Sequence, residues 1–474
     1  MELVFYGHDY KYAAEQMLLT LFPDQRPVYP TGALSGCRAE LRLENGAALC
    51  RLYRNGGVWE GRAEVLPGQT EVERVRQEQH ALKLAFYRAA LVSGVRKPAW
   101  GALTGVKPGK LMARYLTEGK TAAEFAADYD VDPGRAALCA ETARHTLAAR
   151  DGLREGDIGL YAGIPFCPTR CAYCSFISNA VGKSGQLVAP YLEALLAEIR
   201  CVGRAVGEKG LRPVSLYFGG GTPTTLSAVQ LDRLCSAMEE HFPLRDLREF
   251  TVEAGRPDTI TAEKLAVLRD HGVTRVSVNP QTMSDEVLEA IGRAHSARDV
   301  LDALELVRAG GHFQVNMDLI AGLPRDTEAG FRRTLETVLS LAPENITVHT
   351  LAIKNGSRLA EHPEDLPGPE AVGRMVDRSM ETLRAAGYEP YYLYRQKYMS
   401  GGFENVGWTK PGAANLYNIL MMEELCPVIA LGAGASTKLI GPDGAVKRRI
   451  NPKYPKEYIE RMKTESSRTC GVSD

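Results

Sequence analysis

The alternation of hydrophobic and polar positions changes character along the chain. From residue 157 onward, short apolar runs alternate with amphipathic stretches. The runs cover 159–164, 214–218, 249–253, 275–279, 314–320 and 346–351, and are rich in β-branched or aromatic residues. Between and after them, residues 188–202, 227–241, 261–271, 284–291, 297–309 and 327–341 place apolar side chains at helical spacing. This rhythm predicts an α/β fold of parallel strands joined by crossover helices. Six such units fit a partial (β/α)6 barrel. In barrels, functional groups gather at the C-terminal ends of the strands.

The rest of the chain reads differently. Residues 1–97 read as a small α/β domain, with strands over 2–6, 37–43 and 47–53, a helix over 10–22 and a long amphipathic helix over 70–92. Residues 98–156 read as a helical region. Its segment 121–142 looks superficially like helix-turn-helix, but the second helix offers little beyond Arg135 to touch a base or phosphate. Plain helix packing is the expectation there. Residues 157–360 hold the barrel units. Residues 361–474 are expected to be a C-terminal extension over the barrel mouth: a loop at 361–370, a helix to residue 386, a tyrosine-rich stretch at 388–398 and a strand-like run at 428–431.

Composition narrows the function classes. The chain has 474 residues, 45% hydrophobic and 24% charged, as ordinary globular proteins do. Lys plus Arg total 57 and Asp plus Glu 58, so no general attraction to nucleic acid or an anionic membrane is expected. The N-terminus lacks the features of a secretory signal, and no apolar run is long enough for a membrane helix. Ten cysteines in such a chain do not read as a disulfide framework, and with no signal a cytoplasmic, reducing compartment is expected. A monomer is expected. Seven of them, Cys37, Cys50, Cys139, Cys201, Cys235, Cys426 and Cys470, are scattered, and Cys470 sits in a polar tail expected to be disordered.

The other three are not scattered. Cys167, Cys171 and Cys174 fall in Tyr161-Ala-Gly-Ile-Pro-Phe-Cys-Pro-Thr-Arg-Cys-Ala-Tyr-Cys-Ser-Phe176, spaced C-x3-C-x2-C. Thiolates hold iron–sulfur clusters, which usually take four ligands. No fourth cysteine is near, and Phe176 stands where a further one would be looked for. Three ligands on a four-iron cluster leave one iron open to a small molecule. Structural zinc needs four ligands, and neither a second cysteine pair nor a nearby histidine supplies them.

This segment, followed by Gly219-Gly-Gly-Thr-Pro-Thr224, resembles the radical S-adenosylmethionine (SAM) superfamily. Within it, Tyr-x-x-Ile-Pro-Phe-Cys is similar to the oxygen-independent coproporphyrinogen III oxidase family, also called coproporphyrinogen dehydrogenase. The resemblance covers residues 158–360 firmly and the following stretch weakly. It implies a radical SAM barrel and a 4Fe-4S cluster on Cys167, Cys171 and Cys174, with SAM on the open iron. An electron from the cluster would cleave SAM to a 5′-deoxyadenosyl radical, which removes a substrate hydrogen atom. The implied reaction is oxygen-independent decarboxylation of coproporphyrinogen III to protoporphyrinogen IX in heme biosynthesis, with a tetrapyrrole substrate and an external electron donor as partners. Two rivals belong to the same superfamily: a heme-binding trafficking protein, and an enzyme acting on another tetrapyrrole.

The resemblance also implies roles at the strand ends. Tyr161 would approach the SAM carboxylate or the substrate, and Tyr173 would flank the adenine. Gly220, Gly221 and Thr222 would receive the SAM amino group on a loop without bulky side chains. Glu253 would bind SAM, or would instead form a salt bridge to Arg256 or Arg275. Gln281, Arg293 and Asp318 match positions that help hold a second SAM molecule, with Ala352 as a further backbone contact. Arg293 and Asp318 could equally pair with each other. The segment from Gly432 to Ser436 resembles a glycine-rich segment close to the family's site. Arg395, Lys397, Lys410 and Lys438 are either partners for substrate carboxylates or solvated surface charge. Three departures bear on the substrate: Gly163 where the family pattern carries His, Phe176 where it often carries a further cysteine, and Lys438 where an aliphatic residue is usual.

Overall fold

The computed structural model describes residues 1–174, 179–353, 359, 365–396, 400–441 and 444–465. Phe176, Lys397 and Cys470 lie outside the described residues. The chain forms two compact units, Met1–Ala140 with Arg395–Phe403, and Glu141–Tyr394 with Glu404–Asp474.

The first unit carries a four-stranded sheet in the order β1 (Glu2–Tyr6), β2 (Arg38–Glu44), β3 (Ala47–Arg54), β4 (Gly57–Glu64). β1 runs parallel to β2, and the remaining pairs are antiparallel. Helix α1 spans Lys11–Leu21, and α2 spans Glu71–Val92 behind a capping box of Thr70 and Glu73. Met17, Leu18, Leu41, Leu52, Ala85 and Phe86 belong to one buried core. The sequence pattern named every strand here except β4, whose Trp59 and exposed charges alternate without a strong apolar face. Helices α3 (Pro108–Thr117), α4 (Ala122–Tyr129) and α5 (Pro133–Asp151) follow. Arg135 is buried in this helical segment, not displayed on a recognition helix.

The second unit is built on an eleven-stranded sheet. Its centre is six parallel strands: β5 (Asp157–Ile164), then β8 (Arg212–Gly220), β9 (Glu249–Glu253), β10 (Arg275–Ser277), β11 (Gln314–Ala321) and β12 (Asn345–Thr350). The two-residue strands β6 (Phe166–Cys167) and β7 (Asn179–Ala180) pair separately beside the cysteine loop. The connecting helices are α6 (Val181–Ser184), α7 (Val188–Glu208), α8 (Ala228–His241), α9 (Ala262–Asp270), α10 (Asp285–Ala290), α11 (Ala297–Ala309) and α12 (Glu328–Ser340). Ser227 with Gln230 and Ser296 with Asp299 form capping boxes that start two of them. The central strands are apolar on both faces, as expected for parallel strands covered by helices.

The C-terminal segment extends this sheet at both ends. After α13 (Pro369–Ala385), β13 (Glu389–Tyr394) and β14 (Asn405–Thr409) add antiparallel strands beside β12. After α14 (Leu416–Glu423), β15 (Val428–Leu431) lies parallel to β5, and β16 (Ser436–Ile440) and β17 (Val446–Ile450) complete that side. Helix α15 (Pro455–Glu465) ends the described chain. The strand order is linear, with β13 and β17 at its ends, so the six-unit barrel is partial and open.

Candidate active site at the strand ends

The C-terminal ends of the six parallel strands collect the cysteines and the residues expected to contact the cofactor. Strand β5 leads into the cysteine loop. Its three thiols are half-buried and form no disulfide. The Thr222 hydroxyl lies 3.5 Å from the Cys167 sulfur. The Arg256 guanidinium donates to Thr169 Oγ1 at 3.0 Å and stands 3.9 Å from the Cys171 sulfur. Among the described residues, no three His, Cys, Asp or Glu side chains converge as they would around a single ion. A four-iron cluster takes its thiolates on separate irons, and a triad of half-buried cysteines on one loop fits that arrangement.

Strand β8 ends in the glycine loop. The Gly221 N–H donates to Ile164 O and the Thr222 N–H to Phe166 O, at 2.8 and 2.7 Å. This brings the loop's backbone against the chain just ahead of Cys167. At Gly221 a Cβ would fall 2.5 Å from Phe166 O, so only glycine allows the approach. The N–H groups of Gly220, Gly221 and Thr222 are committed within the protein, the first to Glu253. What the loop can offer a ligand is acceptor oxygen, the polarity an ammonium group needs.

Glu253 is the last residue of β9. It pairs with neither Arg256 nor Arg275. Arg256 binds Asp258 at 3.3 Å, and Arg275 binds Glu249 at 3.4 Å. Glu253 instead accepts from the Tyr217 hydroxyl at 2.6 Å. Burial pushes its carboxyl up to about 7; the Tyr217 and Gly220 donors pull the other way, and the Asp318 charge adds to the rise. Tyr217 sits in register with Tyr161 on β5, and their rings stack with centroids 6.2 Å apart. Tyr417 stacks on Tyr217 at 4.4 Å.

The next strands carry a second, connected group. Arg293 donates to Asn279 O at 2.8 Å, to Gly255 O at 3.1 Å and to the Tyr173 hydroxyl at 3.1 Å. It therefore anchors the cysteine loop and does not pair with Asp318. Asn279 Nδ2 donates to Asp318 Oδ2 at 2.8 Å, so Asn279 joins the two residues. Burial alone would raise Asp318, but His349, Asn316 and Thr347 hold it below the ordinary carboxylate range. Gln281 adopts a left-handed backbone conformation, and its N–H donates to Asp318 O at 2.9 Å. Ala352 follows the end of β12 on the same rim.

Among the described residues, the buried atoms at this rim without a hydrogen-bond partner include Gln281 Oε1, Arg293 Nε and the Tyr417 hydroxyl. Buried polar groups are seldom left so, and a polar ligand between the strand ends would satisfy them. The residues present therefore fit a three-cysteine cluster with a bound amino-acid-bearing cofactor. The other proposed cations are engaged elsewhere: Arg395 with Leu103 O and Gly402 O inside the first unit, Lys410 with Ala342 O, and Lys438 with Met421 O.

Comparisons with known proteins bear on this site. The family model for the radical SAM superfamily matches residues 161–338. The chain is 39% identical over 406 residues to the oxygen-independent coproporphyrinogen-III oxidase-like protein HemZ of Bacillus subtilis, covering 84% of this chain and 81% of that relative. The chain belongs to the radical SAM superfamily, in its oxygen-independent coproporphyrinogen III oxidase family. It is also 28% identical to the heme chaperone HemW of Escherichia coli, over 67% of this chain and 79% of the relative. Coproporphyrinogen III oxidase (HemN) from Escherichia coli, a solved radical SAM enzyme, superposes with a TM-score of 0.54 at 25% identity, covering 68% of this chain and 72% of that one. Membership implies a 4Fe-4S cluster and SAM.

Sequence reasoning missed Tyr217, Tyr417, Asn279, Arg256 and His349 as members of the constellation. Tyr217 was findable, since it precedes Gly219 on a strand whose alternation repeats that of Tyr161. Tyr417 was not, because it enters from α14, far along the chain.

Proposed function

We infer that the protein is a cytosolic radical SAM enzyme that decarboxylates two propionate side chains of coproporphyrinogen III to vinyl groups without oxygen. The observation that carries the reading is Glu253: a half-buried carboxylate paired with a tyrosine hydroxyl and no cation, on the rim that holds three cysteines and an acceptor-only glycine loop. The similarity to HemZ over most of both chains supports the substrate class.

Cys167, Cys171 and Cys174 would hold the cluster, and the cluster with SAM supplies a carbon radical by one-electron chemistry when bound. The chain's own residues position and shield. Glu253 and the carbonyls beside it would receive the ammonium group of the cofactor. Tyr161 and Tyr217 wall that place with stacked rings. Arg293 fixes Tyr173, so the aromatic between the second and third cysteines is held at one orientation. Gln281 and Asp318 would receive a second SAM, the Gln281 Oε1 acceptor being otherwise unpartnered.

The test is an anaerobic reaction of cluster-reconstituted protein with SAM, a reductant and coproporphyrinogen III, read by mass spectrometry. Divinyl product is the expected result. The similarity to HemW supports a second reading, heme binding without turnover. Stoichiometric heme binding with coproporphyrinogen III left unchanged would favour it. Gly163 then becomes the residue to examine, since a Cβ there would meet the Tyr161 ring at 3.2 Å.

A further inference from the structure

The sheet's open edge beyond β5 carries a cluster of charge that the catalytic reading does not use. Among the described residues, strand β17 is the last strand on that side. Residues 446–453 read VKRRINPK, four cations and no acid, in a chain whose formal net charge is −1. Lys447, Arg448, Arg449 and Lys453 are exposed, and so is Lys456 at the start of α15. Arg448 pairs with Glu424 at 3.5 Å. Among the described residues, Lys447, Arg449 and Lys456 make no ion pair. Apolar side chains are interleaved with these charges: Ile450 is 64% exposed, Tyr454 51% and Leu439 45%. Charge alone on an edge strand protects against aggregation, but exposed Ile and Tyr beside it do the opposite. Basic groups mixed with exposed apolar ones are the make-up of a docking surface.

The edge lies at a particular place in the fold. β15 is parallel to β5, and Leu431 pairs with Ala162. β17 returns antiparallel to β16, so that Ile450 pairs with Ser436. The Ile450 end of β17 is therefore at the same end of the sheet as the cysteine loop. Asn451 Nδ2 bonds Gly432 O at 3.0 Å, tying this edge to the end of β15. Three strand spacings separate β17 from β5, roughly 14 Å at about 4.8 Å each.

We propose that the β17 edge, with Arg449, Ile450, Lys453 and Tyr454 at its centre, docks an acidic one-electron carrier protein. The inference rests on the reading above, which needs an external reductant close to the cysteine loop. A carrier with a carboxylate-rich rim around an exposed redox group matches both the charge and the apolar residues. Such encounters are small, weak and steered by charge, so they are sensitive to salt.

The experiment measures binding of a purified acidic flavodoxin to the full chain by biolayer interferometry, at about 50 and 300 mM salt. Three forms are compared: unaltered, Arg449→Glu/Lys453→Glu, and the milder Arg449→Gln/Lys453→Gln. Arg245→Glu serves as control, because Arg245 precedes β9 and so lies at the opposite end of the strands. The expected result is binding to the unaltered chain that weakens at high salt, falls about tenfold or more in the Glu pair and less in the Gln pair, and is unmoved by Arg245→Glu. Equal binding by all four, or binding of a polynucleotide with none of flavodoxin, would overturn the proposal. In a parallel reaction, dithionite should drive SAM cleavage equally in the unaltered and Glu-pair proteins. If dithionite drives none in the unaltered protein, the catalytic reading has failed, while the binding data still decide the docking surface.

Discussion

The Tyr217 hydroxyl donates to Glu253 Oε1 at 2.6 Å across adjacent strands, and among the described residues no cation shares that carboxylate. Burial raises the Glu253 carboxyl to about 7. A glutamate in the unfolded chain titrates near 4.3. The folded chain thus holds the proton more tightly. Its contribution to stability is complete below the unfolded value and is lost as pH rises through about 7. The size is about 3–4 kcal/mol, and Glu253→Gln should not show it. Denaturant midpoints of the two proteins between pH 5 and 8 should diverge, the unaltered chain losing ground as pH rises. Parallel curves would show that Glu253 ionises normally. A bound ammonium would reverse the trend, so SAM affinity of the unaltered chain should increase through the same window.

The cysteine triad makes a separate prediction. Protein purified without oxygen should carry about four irons per chain at this loop. Cys167→Ala, Cys171→Ala or Cys174→Ala should each remove most of the iron and all SAM cleavage. Cys37→Ser should change neither, because Cys37 lies in the first unit and outside the motif. Iron analysis and optical absorption decide this without any substrate. Full iron retention in all three alanine variants would exclude the loop as the cluster site.

How far the sequence reaches is visible in particular residues. The strand ends at Ile164 and Glu253 were readable, because each buried strand is a short apolar run closed by proline or a charge, whereas β10 stops at Ser277, two residues before its expected end. Helices 297–309 and 327–341 were readable from period and caps, and α11 keeps its expected bounds. The partners of those residues were not. Glu253 faces basic neighbours in sequence, Arg256 and Arg275, yet each is drawn to another acid, and a tyrosine from β8 takes their place. Arg293 and Asp318 are complementary in charge, but Asn279 inserts between them. Pairings of this kind depend on register between strands, which periodicity alone does not set. β15 shows the same limit: its run at 428–431 was legible, its place beside β5 was not.

Asp318 offers the cleaner probe of a second cofactor. Arg293 also holds Tyr173, so its removal disturbs the cysteine loop as well. Asp318 accepts from Asn279 and Asn316, each at 2.8 Å, and touches no cysteine. Asp318→Asn removes the charge and sets amide against amide. If Asp318 helps clamp a second SAM, equilibrium dialysis should fall from two bound SAM per chain to one. Divinyl product should drop about tenfold or more, a loss of at least about 1.4 kcal/mol. Formation of 5′-deoxyadenosine should persist. Two bound SAM in the variant, with normal divinyl yield, would reject the two-SAM arrangement.

Glu198 on α7 ties the C-terminal helix to the start of the cysteine loop. Its carboxylate accepts from the Tyr458 hydroxyl at 2.6 Å, from the Gly432 N–H at 2.8 Å and from Asn451 Nδ2 at 2.8 Å. Gly432 lies against Gly163, whose carbonyl accepts from the Tyr191 hydroxyl at 2.6 Å. Burial raises the Glu198 carboxyl, and its three donors oppose that rise. Tyr458→Phe takes away one donor and leaves the others, which should cost about 1–3 kcal/mol in unfolding free energy. Glu198→Gln places an amide NH2 among groups that all donate, so its loss should be at least as large. In the Glu198→Gln background the hydroxyl of Tyr458 has no charged acceptor left. The Tyr458→Phe step should then cost much less than in the unaltered chain, a coupling of about 1 kcal/mol or more. Denaturant unfolding of the four proteins, followed by tyrosine and tryptophan fluorescence, measures the cycle. Additive losses would show that Tyr458 contributes through packing alone and that the Glu198 carboxylate is no latch.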